Sequence, residues 1–148
     1  MAGIDAKLLF AEDLAFETSA TTAYSTNEVD FGAGKDAWGT ALANPKIGQG
    51  SPIYVNIVIT TGCTPTASTP TVTFNVVGGT ATAPTTVQQI IASAVGYATL
   101  VAGYKFCVPL QVDPAIARFI RIQVVTGTNG MSAGNYSAWL SDAPLADA

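Results

Sequence analysis

The chain has 148 residues, 49% of them apolar and only 11% charged, with a net charge of −4 and no histidine. That length fits one domain, able to bury roughly two-thirds of its extended surface on folding. Six Lys and Arg residues are too few for the basic stripe that phosphate neutralisation needs, which argues against direct nucleic-acid binding; without histidine, the Ser-His-Asp, Cys-His and imidazole-base templates fall away.

In chain order, residues 1–20 read as an N-terminal arm ahead of a domain spanning 21–148. Over 4–17, apolar and acidic positions mix without β alternation, which predicts a short helix or an extended arm. Leu8, Leu9, Phe10, Leu14 and Phe16 are too apolar for a free tail, so docking onto a neighbouring subunit is expected. No apolar run followed by a cleavage site is visible near Met1, which disfavours secretory export.

From there the period is two. Val29 and Phe31 flank Asp30; Ile53, Val55, Ile57 and Ile59 alternate with Tyr54, Asn56, Val58 and Thr60; Val72, Phe74 and Val76 alternate with Thr71, Thr73 and Asn75. Further on, Tyr104, Phe106, Val108 and Leu110 alternate with Lys105, Cys107 and Pro109, then Ile120, Ile122 and Val124 with Phe119, Arg121, Gln123 and Val125, and finally Tyr136, Ala138 and Leu140. Turn signals separate these runs at Gly32-Ala33-Gly34, Asn44-Pro45, 62–70, Gly78-Gly79, Asp113-Pro114 and Asn129-Gly130. About eight strands with little helix signal predict an all-β antiparallel sandwich, either a jelly roll or an Ig-like domain.

A tight Asn129-Gly130 turn would set inward Ile120 opposite outward Trp139, so the faces would disagree. Either the loop is longer, with a bulge, or the chain crosses between sheets from Val125 to Asn135; a crossing fits a jelly roll. From Ile47 through Tyr104, 58 consecutive residues carry no charge. So neutral a surface predicts a domain that finishes hiding itself against other proteins. Its most apolar window, Ile90 to Val101, falls well short of the ~20 residues that span a bilayer, and reads as a core element instead of a membrane segment.

The sequence offers little for chemistry, so neither an enzyme nor a cofactor is expected. Gly32-Ala33-Gly34-Lys35 departs from a phosphate loop at Val29 and Asp36. Asp30, Asp36 and Asp113 each sit in or beside a turn, where a solvated acid is the default rather than half of a glycosidase pair. No loop gathers the acids that calcium needs. Cys63 and Cys107 could form one bridge but show neither a metal spacing nor a disulfide framework. Asn135-Tyr136-Ser137 matches a glycosylation tripeptide without secretory context and reads as strand sequence.

What remains is surface. Tyr54, Val58, Phe119, Val125 and Trp139 fall opposite the core-facing set. Loops or the N-terminal arm could cover them within the monomer; alternatively the aromatics are anchors for another subunit. Arg118 and Arg121 could add bidentate contacts to a partner's carboxylates.

The segment from Arg118-Phe119-Ile120-Arg121 to Val125, the turn to Gly130, and then Met131-Ser132-Ala133-Gly134-Asn135-Tyr136-Ser137-Ala138-Trp139-Leu140 resembles the end of the capsid cement (decoration) proteins of tailed bacteriophages, the family typified by the Bordetella phage cement protein. The shared pattern is an Arg-aromatic-aliphatic-Arg strand, a loop, then small-Ala-Gly and Ala-x-Leu; a weaker likeness covers Pro52 to Val77. Gln123, where a cation often stands, and the longer neutral turn at 62–70 depart from that pattern. The resemblance implies a jelly-roll protein made in the host cytoplasm that pairs into homodimers and binds the outside of an icosahedral head, bridging major capsid protein subunits. It makes Tyr54, Phe119, Arg121 and Trp139 the candidate partner contacts, with Leu9 and Phe10 on a capsid-gripping arm. The competing readings are a carbohydrate-binding module or phage adhesin, and a low-copy tail or head-completion protein.

Overall fold

The computed structural model describes residues 8–30, 53–111 and 118–141. They form nine antiparallel strands: β1 (Leu9–Ala15), β2 (Thr21–Tyr24), β3 (Val29–Asp30), β4 (Tyr54–Pro65), β5 (Thr71–Gly79), β6 (Val87–Gly96), β7 (Lys105–Pro109), β8 (Phe119–Gly127) and β9 (Met131–Ser141). One 3-10 turn, Tyr97–Thr99, follows β6. The candidate turns at Gly32-Ala33-Gly34, Asn44-Pro45 and Asp113-Pro114, and the acids Asp36 and Asp113, lie outside the described residues.

The strands make two sheets, ordered β1-β9-β4-β7 and β2-β8-β5-β6, with the short β3 also on β8. This wiring is a jelly roll. The chain behaves as one long antiparallel ribbon pairing β1 with β9, β2 with β8, β4 with β7 and β5 with β6, wound so that successive ribbon pairs land in opposite sheets. Alternation explains the layering: Val55, Ile57 and Ile59 of β4 face Val72, Phe74 and Val76 of β5 and Ile120, Ile122 and Val124 of β8 across one continuous core. An aromatic cluster fills its centre, with Phe74 6.0 Å from Phe16, 5.2 Å from Phe106 and 6.0 Å from Tyr136 between ring centroids.

The chain crosses between sheets from β8 to β9, through residues 127–131. Asn129-Gly130 therefore closes no hairpin. Gly130 sits against the backbone of Thr18 and Ser19, where a Cβ would overlap it. Met131 N–H donates to the Glu17 carbonyl at 2.8 Å and Thr66 N–H to the Gly130 carbonyl at 3.0 Å, locking the crossing to both neighbours.

Two expectations are corrected. The N-terminal segment is not a helix, and what it docks onto is this chain's own sheet: residues 9–15 are a strand of the four-stranded sheet, paired with β9 through Leu9 with Trp139, Ala11 with Ala138 and Leu14 with Tyr136. Two register shifts in this pairing and a left-handed Asp13 (φ 48°) carry the bulged strand around the edge. That irregular register hides the β alternation in the sequence. The apolar window 90–101, expected in the core, forms instead the outer part of edge strand β6 and the loop after it. Only Leu100 of that window is fully buried, whereas Ile90 is 61% exposed and Val101 55% exposed.

Candidate functional site

The described residues hold no cluster of three or more metal-binding side chains and no helix long and apolar enough to cross a membrane. Neither Cys63 nor Cys107 is in a disulfide. Cys107 pairs with Asn56 on β4, seven positions before Cys63 on that strand. At about 3.3 Å per residue the thiols lie roughly 20 Å apart. Burial alone pushes the Cys63 thiol up to about 11.

The outer faces are read from the register. On the four-stranded sheet, Leu9, Trp139, Asn56 and Cys107 form one lateral row, since Leu9 pairs with Trp139, Trp139 with Asn56 and Asn56 with Cys107. Tyr54, opposite Pro109 and Ser141, stands in the next outward row. Leu9, Tyr54 and Trp139 are half-buried. Asn56 is fully buried, and its amide donates to the Ser141 hydroxyl at 2.8 Å. Phe10 is a correction: it has no exposed surface and belongs to this chain's own core. Alternation beside Leu9 turns it inward, so it cannot grip a partner from this position.

On the five-stranded sheet the corresponding row is Tyr24, Gln123, Asn75 and Ile90. Asn75 donates to the Gln123 side chain at 2.9 Å, and Gln123 to the Tyr24 hydroxyl at 3.3 Å. Phe119 is half-buried under the Arg118 guanidinium, 4.8 Å above its ring, while Arg118 makes a two-point pair with Asp30 at 3.0 and 3.2 Å. Arg121 is largely committed within the chain. Its guanidinium stacks 3.7 Å from the Tyr24 ring and its Nε–H donates to the Pro84 carbonyl at 2.8 Å. Beside it lies an open cleft of about 250 Å³ lined by residues 25–28, Thr82 and Ala83, below the ~300–1,000 Å³ of ordinary small-molecule sites. Glu28 holds its rim by accepting from Ala83 N–H at 2.8 Å.

Among the described residues the most exposed large apolar side chains are elsewhere: Val87 (44%), Ile90 (61%), Val101 (55%) and Tyr104 (38%). All four lie within residues 87–104, on edge strand β6 and its connection to β7, where the sequence reading placed no contact. One signal was available. Ile90-Ile91 breaks the alternation of a two-faced strand, and the run continues into Ala98, Val101, Ala102 and Gly103 without a charge.

The molecule is thus a jelly roll whose described residues present surfaces and one small polar cleft. The family model Bbp16 matches residues 16–140. The chain belongs to this family, a Bordetella phage protein family. No curated protein matches the sequence.

Proposed function

We propose that the protein is a structural component of a phage particle, a capsid cement or decoration protein that binds the exterior of an icosahedral head and bridges major capsid protein subunits as a homodimer. Membership of the Bbp16 family over 16–140 carries this reading. The jelly roll and the scarcity of surface charge support it. A neutral Thr- and Val-rich face loses little ion solvation on burial, so modest contacts repeated many times over a shell stiffen it without any single strong one.

Leu9, Tyr54 and Trp139 on one outer face and Phe119 with Arg121 on the other are the proposed capsid contacts. They are half-buried and supported by neighbours, as aromatic anchors at an interface are. In this reading the protein has no catalytic role, no cofactor, no membrane contact and no direct nucleic-acid contact.

The test is stoichiometry in purified particles. A cement protein co-purifies at a fixed, high copy number relative to the major capsid protein, and Phe119→Ala with Trp139→Ala lowers occupancy while the isolated protein stays folded. A few copies per particle, or absence from particles, rejects the proposal; full occupancy by the double variant removes these residues as anchors.

A further inference from the structure

The two sides of the sandwich differ in charge in a way that selects a partner. One flank carries the edge strands β1 and β2 with β3, joined across the sheets where Asn27 N–H donates to the Phe10 carbonyl at 2.9 Å. The other carries β6, the 97–104 loop and β7, joined where the Gln89 amide donates to the Pro109 carbonyl at 2.9 Å and accepts from Gln111 N–H at 2.8 Å. Every acid among the described residues, Glu12, Asp13, Glu17, Glu28 and Asp30, is on the first flank. Among the described residues the second holds a single charge, Lys105, whose register places it on the outer sheet face beside Val58. It also holds the four most exposed large apolar side chains among the described residues, Val87, Ile90, Val101 and Tyr104.

We infer that the β6/β7 flank is the interface with a second copy of this chain, related by a two-fold axis. This rests on the proposed homodimer and assigns its surface. Among the described residues, two copies meeting through the charged flank would oppose five carboxylates to five, with Arg118 and Arg121 as the nearby cations. Two copies meeting through the neutral flank bury apolar side chains against each other and leave all those acids in solvent, a self-complementary contact that closes after two subunits.

Side chains carry the contact, and the two sheets do not merge. Strand β6 is a poor template for strand addition: its pairing with β5 has three register irregularities, and Ala94 sits in the left-handed region at φ 49°. Strand β7 is short and ends in the exposed Pro109, which has no N–H to offer a new strand.

The test uses sedimentation velocity on the 148-residue chain with three variants, Ile90→Asp, Val101→Asp and, on the other flank, Glu17→Lys. All three positions are exposed, and far-UV circular dichroism with thermal melting checks that each variant stays folded. The wild type sediments as a dimer; Ile90→Asp and Val101→Asp each raise the dimer dissociation constant at least tenfold, and Glu17→Lys leaves it unchanged. Adding 1 M salt leaves the wild-type dimer intact, because an apolar contact is not screened. A wild-type monomer at every concentration overturns the inference, as does a dimer that Glu17→Lys breaks and the two aspartates spare. If that latter protein still decorates heads at fixed stoichiometry, the flank assignment fails while the cement function stands; absence from heads fails the function separately.

Discussion

The flank built from β1, β2 and β3 and the flank built from β6 and β7 solve the same problem, closing a two-sheet sandwich at its edge, by different means. On the first, Phe10 and Phe16 reach into the core, and the bulge at Asp13 is bonded on several sides. Its N–H donates to the Ser137 hydroxyl at 2.9 Å, its carboxylate accepts from Thr60 at 2.6 Å, and its carbonyl accepts from Asn135 at 3.1 Å. Charges then face the solvent. On the second, one glutamine bridges the edges and the apolar side chains outside it stay exposed. An edge sealed within the chain can afford charges; the edge left neutral is the one that we propose a second molecule completes.

The sharpest way to break this contrast is Phe10→Ala. Emptying a fully buried aromatic site costs about 3–5 kcal/mol in guanidinium unfolding, whereas Ile90→Ala on the other flank stays within about 0.5 kcal/mol for the monomer. A loss below about 1 kcal/mol for Phe10→Ala would mean that β1 behaves as a detachable arm after all. Next is Gly130→Ala, whose methyl must displace the Thr18-Ser19 backbone. Overpacking of this kind costs about 1–3 kcal/mol, and faster amide exchange at Met131 would show that the β8–β9 crossing has loosened. On the neutral flank, Gln89→Ala removes both bonds that tie β6 to the end of β7, at about 1 kcal/mol for an exposed pair; protease cleavage near residues 109–111 would rise with it.

The smallest effect is a pH dependence. In the folded chain the Cys63 thiol holds its proton up to about 11 because burial disfavours the thiolate, while in the unfolded chain it ionises near the ordinary ~8.5. The folded state therefore binds more protons between those values, and stability is full below about 8.5 and declines as pH rises towards about 11. Burial and the nearby Glu17 carboxylate push the Tyr136 phenol up well beyond its ordinary ~10, so its share of the decline begins near pH ~10 and continues above the Cys63 window. Unfolding midpoints measured across this window should fall with pH, and Cys63→Ala should flatten the early part of the slope while leaving the Tyr136 part.

Strand by strand, the sequence was most legible where a strand has one wet and one dry side. In β4, β5, β8 and the second half of β9, alternation named the core-facing residues, although Asn56, Asn75, Val77 and Gln123 on the opposite face are buried as well, and the conflict of faces around Asn129-Gly130 pointed to the sheet crossing that the fold contains. It was least legible at the edges. The bulges in β1 erase the period of two, so the segment read as an arm and Phe10 as a gripping residue. In β6 the apolar density of 90–101 read as interior, because hydrophobicity says that a surface must be covered without saying by what. The outward anchors named from alternation, Tyr54, Phe119 and Trp139, and Leu9 from the expected arm, do face away from the core, yet they are half-buried, and Arg121 spends its Nε–H on Pro84. Arg118 covers Phe119 from the next position, but the Tyr24 ring and Pro84 carbonyl that hold Arg121 are distant in the chain.

By itself, then, the sequence determined that this is a β-sandwich with a neutral middle, because alternation and charge are local properties written residue by residue. Which strands became edges, which flank kept the acids and which apolar residues stayed outside were decided only in three dimensions. Winding the antiparallel ribbon brings residues 9–30 together on one side and residues 87–109 on the other, and no local pattern encodes that separation.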